Sequence, residues 1–298
     1  MTTHAAFSRR ALLQGLAATA AFAQSSNWKK HAGLELYTVR DLLAKDFEGT
    51  IAKVAEIGYT EVEPVGFGGL DPKAFRALLD RYKLTAPSTH TSATDGPGLE
   101  KELEGHQIMG FKYTEINSPR PAAQAARPPR TEETFKRAAA QYNSRGAIAK
   151  KFGMKILIHN HAGEFDPIEG SSKTQYDILL AETDPALVTM QLDIAWARIA
   201  GQNILDLFKN HPGRFELWHV KDVADLDKLD MTQIPSRRRA TFIPIGQGQI
   251  DYKPIFKAAK TAGLKYYVIE QDNAAANGAD SLAAARANYQ GLLKVLSQ

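Results

Sequence analysis

Two histidines and a glutamate follow an apolar run in the stretch ILIHNHAGEF, residues 156–165. These side chains belong to His159, His161 and Glu164. Imidazole and carboxylate groups at this spacing can bind a transition metal or transfer a proton. The alternative interpretation is a polar loop that follows a buried strand. The choice depends on which other groups the fold brings beside them.

The composition restricts the chemistry of any site in this chain. No cysteine occurs among the 298 residues, which excludes disulfides and thiolate ligands or nucleophiles. A metal must therefore be bound by His, Asp, Glu or backbone oxygens. Lysines and arginines number 37 against 33 acidic residues, without a basic tract rich in aromatics. We therefore expect no nucleic-acid partner.

The elements that must position these residues alternate regularly along the chain. The strand candidates are residues 33–39, 60–64, 85–90, 112–116, 155–159, 188–193, 215–220 and 266–270. The helical patterns between them include residues 47–57, 72–82, 131–152, 204–210, 252–262 and 281–296. Eight alternating units in one domain, residues 33–298, predict the α/β class and a single (β/α)₈ TIM barrel. Segments 93–109 and 222–251 interrupt the alternation and read as longer loops with some helix at the C-terminal end of the barrel, where such enzymes bind substrate.

Nearly every predicted strand ends in a polar or ionisable group. In chain order these groups are Tyr37 and Arg40, Glu63, His90, Glu115, His159 and His161, Asp193, His219 and Lys221, and Glu270. Burying each of them without a partner would cost several kcal/mol, on the order of 2–7 for a neutral polar group. We therefore expect them to converge in one pocket and to satisfy one another or a cation.

Four of these residues form a plausible ligand set without sulfur: His159, Asp193, His219 and Glu270. Mixed imidazole and carboxylate ligands suit Mn²⁺, Co²⁺, Zn²⁺ or Fe²⁺ better than Ca²⁺. A cation with open coordination positions would polarise hydroxyl and carbonyl oxygens of a substrate and acidify the adjacent C–H group. A nearby carboxylate or histidine would then move the proton.

Several of the candidates also have a purely structural interpretation. His90 could bond a backbone carbonyl, Glu63 and Glu115 could pair with basic residues of neighbouring loops, and Lys221 could be solvated. Trp196 and Phe67 could form an apolar wall for a sugar or simply pack. We expect His106 and His211, on predicted helices or helix ends, to lie at the surface.

A resemblance to a known family becomes specific at these residues. The segments GLELYTVRD, GYTEVE, ILIHNHAGEF, MQLDIAWARIAG, LWHVKDV, IGQGQIDYKPIFKAAKTAG and YYVIEQD resemble successive blocks of the sugar phosphate isomerase/epimerase family of xylose isomerase-like TIM barrels. The resemblance covers residues 33–295. It implies a divalent metal, often manganese, bound by residues of strands five to eight, and chemistry through an enediolate.

By position, Asp193, His219 and Glu270 match the family's ligands on strands six, seven and eight. The fifth strand departs from the ketose epimerases, because His159 stands where they have a glutamate that is both ligand and acid/base. Glu164, in the loop just beyond, is the nearby carboxylate that would replace the function of this glutamate.

The strand-end positions and the hypothesis of a metal-dependent isomerase or epimerase together assign roles to the candidates. Glu270 would be base and ligand, with His159 or Glu164 as its counterpart, and Lys221 or His90 would steady the oxyanion. The expected substrate contacts are Tyr37, Glu63, Glu115, His161 and Trp196.

The first functional hypothesis is a metal-dependent isomerase or epimerase of an unphosphorylated sugar or keto-sugar. The departure at His159 favours an alternative, a lyase or hydratase on a 3-keto-glycoside, because elimination needs no second base on the opposite face of the intermediate. A phosphodiesterase with several zinc ions and a non-catalytic sugar-binding protein are weaker alternatives. The expected partner is a small sugar or glycoside, and homo-oligomerisation stays open.

The segment FSRRALLQGLAATAAFAQ contains an Arg9-Arg10 pair, an apolar stretch and the small-x-small pattern Ala21-Phe22-Ala23. It predicts a twin-arginine-type signal peptide over residues 1–23 and export to the periplasm. An ordinary secretory signal or a disordered arm are the alternatives. The apolar stretch is too short for a stable membrane span.

Overall fold

The computed structural model describes residues 28–117, 129–237 and 239–297. The signal peptide predicted at residues 1–23 lies outside the described residues. Within the described ranges, no helix combines the length and apolar character needed to cross a membrane.

Parallel strands form the centre of the fold. The described strands are β1 (Gly33–Glu35), β2 (Glu61–Glu63), β3 (Ala93–Thr94), β4 (Tyr113–Thr114), β5 (Ile116–Asn117), β6 (Lys155–His159), β7 (Val188–Asp193), β8 (Leu217–Val220), β9 (Asp222–Ala224), β10 (Thr241–Ile243) and β11 (Tyr266–Ile269). Seven of them pair in parallel in the order β2-β1-β11-β8-β7-β6-β4. The pairs β3–β5 and β9–β10 lie outside this sheet.

The segment predicted as the third strand, residues 85–90, closes the barrel without forming a regular strand. Thr85 makes an isolated parallel bridge to Glu61, and the carbonyl of Pro87 accepts hydrogen bonds from the backbone N–H groups of Lys112 and Tyr113. The segment thus joins β2 to β4. Pro87 lacks an N–H and cannot donate to a ladder, which explains why the strand is irregular here. The parallel order and this closure form the predicted (β/α)₈ barrel.

Helices surround the sheet. Their bounds are Arg40–Leu43, Phe47–Ile57, Pro72–Arg81, Leu99–Met109, Glu132–Lys151, Gln175–Glu182, Ile194–Ile199, Ile204–Asn210, Ile234–Arg237, Tyr252–Lys257, Ala259–Ala262 and Ser281–Val295. Short 3₁₀ turns occupy Trp28–Lys30, Leu36–Val39, Gly163–Phe165, Leu226–Lys228 and Ala276–Gly278. Side-chain caps define many helix starts: Thr174, for example, forms a capping box with Asp177 at the start of Gln175–Glu182.

Three predicted elements are divided in the structure. The first strand ends at Glu35, and the chain continues as a 3₁₀ turn over Leu36–Val39. The fourth is divided at Glu115 between β4 and β5, and the predicted helix 252–262 is divided at Ala258. These changes of direction depend on tertiary pairing rather than on local hydrophobic periodicity.

The expectation of a surface position is wrong for His106. This side chain is buried, and its Nδ1 lies 2.9 Å from Thr114 Oγ1. Burial lowers the pKa of His106 to about 4. His211 is half-buried. Phe67 packs against other aromatic rings, those of Phe75 and Phe111, as the packing alternative predicts.

Candidate active site

His219, at the centre of the barrel mouth, is held between two carboxylates. It is buried in β8, and it donates from Nδ1 to Glu270 Oε2 (2.8 Å) and from Nε2 to Glu63 Oε2 (2.6 Å). Ionised carboxylates only accept hydrogen bonds, so both ring nitrogens act as donors in this arrangement. Burial alone would lower the pKa of His219, but the charge of Glu63 and the hydrogen bonds to both acids raise it to about 9.

Lys221 directly follows β8, and its ammonium lies among three carboxylates. Nζ is 2.8 Å from Asp193 Oδ2, 2.6 Å from Glu270 Oε2 and 2.6 Å from Asp272 Oδ1. The side chain is almost fully buried. Burial opposes the charged form, but the three acids hold the pKa of Lys221 well above its usual range. Lys221 and His219 in turn hold the pKa of Glu270 below its usual range, against the effect of burial.

His159 ends β6 beside this centre. Its Nε2 lies 3.9 Å from Asp193 Oδ2, and its ring centroid is 4.5 Å from that of His219 and 4.9 Å from that of His90. Burial and the surrounding positive groups hold its pKa well below the usual range. Its Nδ1 is buried without a hydrogen-bond partner among the described residues. A neutral imidazole with an unused nitrogen is the state that a metal ligand needs.

A buried hydrogen-bond chain links His219 to His90. Glu63, which bonds His219, accepts from Gln191 Nε2 (2.7 Å), and Gln191 Oε1 lies 2.6 Å from His90 Nε2. His219 and the neighbouring His90 also stack, with ring centroids 5.1 Å apart. Glu63 and Gln191 are both fully buried. This hydrogen-bond chain therefore fixes the positions of three strand-end side chains, those of His219, Glu63 and His90.

Sequence reasoning missed four polar residues of this network. Gln191 precedes Asp193 by two residues and Asp272 follows Glu270 by two, so the period-two alternation of a strand could have identified both. Asn160 joins β6 to β7, because its Oδ1 accepts from Asp193 N–H (3.0 Å) and its Nδ2 donates to Asp193 O (3.3 Å).

The fourth missed residue, Glu35, is a buried carboxyl beside Glu63. Its Oε2 has no hydrogen-bond partner among the described residues. Burial and the nearby acids Glu63 and Glu270 raise its pKa well above the usual range. Its position at the end of β1, the same position that other site residues have in their strands, could have identified it as a site residue.

Two predicted site residues, Glu164 and Glu115, make their hydrogen bonds away from this network, and Tyr37 lies at its rim. Glu164 Oε2 accepts the backbone N–H of His161 (2.8 Å), so this carboxylate stabilises its own loop. Glu115 accepts from Ser92 Oγ (2.7 Å). Tyr37 is 42% exposed.

The rim around the mouth is aromatic and cationic. The ring of Trp196 lies 5.5 Å from that of His161, and its Nε1 donates to Asp272 Oδ2 (3.2 Å). The guanidinium of Arg40 lies 3.9 Å over the ring of Tyr37 and also donates to the carbonyl of Asp272 (3.2 Å). These side chains form a wall suited to a polyhydroxylated ring.

The donor set of the centre fits a divalent cation. Ligand atoms of Asp193, His219 and Glu270 lie within 4.8 Å of one another. Three carboxylates surround one ammonium at Lys221, which leaves uncompensated negative charge. Glu63 on Nε2 of His219 is the kind of carboxylate–histidine contact that orients a ligating Nδ1. The side chains are thus of the right type and spacing, although Lys221 shares the carboxylates that a cation would use.

Comparison with known proteins identifies the family. The model of the xylose isomerase-like TIM barrel matches residues 51–292, so the chain belongs to this family. An inosose dehydratase of Lacticaseibacillus casei is 28% identical over 263 residues, which cover 78% of this chain and 84% of that protein.

Solved structures show the same fold. A sugar phosphate isomerase/epimerase of Parabacteroides distasonis superimposes with a TM-score of 0.70 at 21% identity, over 89% of this chain and 98% of that one. The structure of a protein named IOLI with a bound zinc atom gives a TM-score of 0.62 at 16% identity, over 90% and 98%.

Proposed function

We propose that the protein is a metal-dependent lyase that removes water or an alcohol from a polyhydroxylated cyclic ketone of the keto-sugar or keto-glycoside class. The observation that carries the proposal is the identity of the side chain at the end of the fifth strand. His159 lies there beside the carboxylate centre, whereas Glu164 is bonded to the backbone of His161. The fifth strand thus supplies an imidazole instead of a second acid/base carboxylate, which leaves Glu270 as the proposed base. The name of the relative with 28% identity, inosose dehydratase, supports the same reaction class.

The residues of the centre suit β-elimination. Glu270 removes the proton from the carbon next to the ketone. The electron pair of the broken C–H bond then forms a C=C bond as the C–O bond at the β position breaks. The leaving oxygen departs as water or alcohol once it has received a proton. In a syn elimination the protonated Glu270 can return the same proton, so a single carboxyl group is sufficient. Lys221, 2.6 Å from Glu270, supplies positive charge near the developing oxyanion.

A cation belongs to this proposal. Asp193, His219 and Glu270, with His159, would hold it, and it would supply Lewis acidity toward the ketone oxygen. Mn²⁺, Co²⁺, Zn²⁺ and Fe²⁺ all suit the ligand types. Elemental analysis after incubation with Mn²⁺ or Co²⁺ should give about one equivalent per chain, and less than about a tenth would count against the metal.

Product mass separates this proposal from the epimerase alternative. The metal-loaded protein is incubated with keto-sugars, cyclic keto-polyols and 3-keto-glycosides in deuterated water, and the products are analysed by mass spectrometry and NMR. Loss of water or alcohol is the expected result. A product of unchanged mass apart from solvent deuterium would instead establish isomerisation.

The base is tested by Glu270→Gln, which should lower kcat by about 10²–10⁴-fold because the amide cannot accept the proton. Glu216→Gln is the matched control: Glu216 is also a paired carboxylate, bonded to Lys155 and Tyr113 away from the centre. The control should keep its turnover. Equal activity of Glu270→Gln and wild type would refute the assigned role.

We further propose that the enzyme acts outside the cytoplasm, since Arg9-Arg10 and the following apolar stretch have the pattern of a twin-arginine signal. Replacement of both arginines by lysine should retain the full-length chain in the cytoplasm of a bacterial host. Cell fractionation followed by immunoblotting measures this. Normal transport of the double variant would exclude the twin-arginine route.

A further inference from the structure

We propose that Gln191 sets the tautomer of His90, so that the Nδ1 lone pair of His90 accepts a hydrogen bond from a substrate hydroxyl. Gln191 is thus a positioning residue and His90 a specificity-determining one. The identity of the hydroxyl donor rests on the proposed function, whereas the tautomer rests on the hydrogen-bond chain alone.

The first step is the orientation of the Gln191 amide. One end of the side chain lies 2.7 Å from Glu63 Oε1 and the other 2.6 Å from His90 Nε2. Glu63 already accepts from His219 Nε2 through its other oxygen. A carboxylate can only accept, so the NH₂ group of Gln191 faces Glu63 and its carbonyl faces His90.

The second step assigns the ring proton. The carbonyl of Gln191 can only accept, so His90 Nε2 must be the donor. Glu63 Oε2, 3.5 Å from the same nitrogen, is a second acceptor beside it. In the neutral ring the proton therefore resides on Nε2 and Nδ1 has the lone pair.

The third step is that this arrangement resists inversion. Gln191 and Glu63 are fully buried, and Gln191 pairs in register with His159 of β6. Rotating the amide by 180° would set its oxygen against the carboxylate and its NH₂ against a donor. Both hydrogen bonds would be lost in a buried environment.

The fourth step links the tautomer to recognition. Nδ1 of His90 has no hydrogen-bond partner among the described residues, and the side chain keeps 20% of its surface accessible at the barrel mouth. A keto-sugar ring presents hydroxyl groups, which donate readily to an imidazole lone pair. Among the described side chains of the centre most of the others are charged or already paired, so an imidazole lone pair at this place selects for a hydroxyl at one position of the ring.

His106 supplies an internal reference of the opposite kind. Thr114 Oγ1 donates its single proton to the carbonyl of Glu115 (3.1 Å), so it accepts from His106 Nδ1 (2.9 Å). His106 therefore has its proton on Nδ1. His90 and His106 should show opposite ¹⁵N signatures in one spectrum.

The test is NMR of full-length protein labelled with ¹⁵N-histidine, saturated with diamagnetic Zn²⁺ and held near pH 8.5, above the usual range of imidazole protonation. Signals are assigned with His90→Gln and His106→Gln. The expected result is a protonated Nε2 and bare Nδ1 for His90, and the reverse for His106. A protonated Nδ1 on His90, or a His90 Nε2 signal that shows direct Zn²⁺ binding, would overturn the proposal.

Gln191→Met tests the cause. The expected result is loss of the fixed His90 signature, with tautomer averaging, while His106 is unchanged. An unaltered His90 pattern would show that Gln191 does not set the tautomer. The wild-type spectrum decides the tautomer even where the variant fails to fold.

Kinetics test the recognition step once a substrate is in hand. Gln191→Met should lower kcat/KM by about 10- to 100-fold, mainly through KM, and His90→Gln should lower it similarly. Undiminished kcat/KM in both variants would overturn the role of His90. If wild type shows no lyase activity on any keto-sugar, the proposed function fails, whereas the tautomer assignment is still decided by the NMR result.

Discussion

Among the basic groups that the structure describes, Lys221 differs in the number of acids that surround it. Its ammonium contacts three carboxylates while almost no part of it reaches solvent. A buried ion pair contributes little net stability when complete, but removing one partner leaves uncompensated charge. The ammonium therefore has a structural function in the metal-free protein in addition to its proposed function beside the oxyanion.

Replacing Lys221 by Met should separate these two contributions. Without metal, the free energy of unfolding should fall by about 3–5 kcal/mol, because the buried Asp193 and Glu270 and the half-buried Asp272 lose their counter-ion. Zn²⁺ should then stabilise the variant more than it stabilises wild type, since the cation meets carboxylates free of the ammonium. Chemical denaturation with chelator or with saturating Zn²⁺ measures both effects.

Lys155→Met is the matched control for this substitution. Lys155 forms a 2.6 Å pair with Glu216 away from the carboxylate centre and is 29% exposed. Its loss should leave the Zn²⁺-dependent gain as in wild type. An equal gain in the two variants would contradict a cation bound among the carboxylates of Lys221.

At the scale of elements, parallel pairing explains what the sequence could predict. The strand β7 alternates apolar and polar residues from Val188 to Asp193, so its period-two pattern identifies it without any partner, although all six positions are buried. The segment 85–90 could not be predicted as irregular in this way. Its hydrogen bonds to β2 and β4 come from residues far along the chain, and Pro87 alone does not determine which edge it closes.

The sequence also could not predict which groups the loop side chains contact. Glu164 and His161 share one stretch, yet the carboxylate turns to the backbone N–H of the histidine while the imidazole approaches Trp196. Gln191 reads as an ordinary polar position of an alternating strand, and only its contacts with Glu63 and His90 show its place in the site. Types and spacing thus predict that polar groups gather at the strand ends, whereas the hydrogen-bond directions depend on contacts between strands.

On the scale of the whole molecule, the charged centre at the barrel mouth contrasts with a buried, poorly satisfied acid at the opposite end. Glu61, at the start of β2, is buried, and its Oε2 has no hydrogen-bond partner among the described residues. Its other oxygen, Oε1, lies 3.4 Å from His31 Nδ1. Beside them lies a cavity of about 550 Å³. Burial raises the pKa of Glu61 to about 8 from its ordinary 4.5.

This acid makes global stability depend on pH. Between pH 4.5 and 8 the unfolded chain releases the Glu61 proton while the folded chain retains it, so the free energy of unfolding falls as pH rises through this window. Glu61→Gln removes the titration. Near pH 5 the variant and wild type should unfold at similar denaturant concentrations, whereas at pH 9 the variant should be more stable by about 2–4 kcal/mol.

Urea denaturation in the presence of a chelator, at both pH values, measures this difference without interference from metal binding. The control is Glu216→Gln, at a carboxylate that already has Lys155 and Tyr113 as partners. Removing that charge should destabilise the protein at pH 9, the opposite sign to Glu61→Gln, because a satisfied ion pair is broken. A Glu61→Gln effect of the same size at pH 5 and pH 9 would attribute the gain to packing and not to the proton, since only a titrating carboxyl changes its contribution between them.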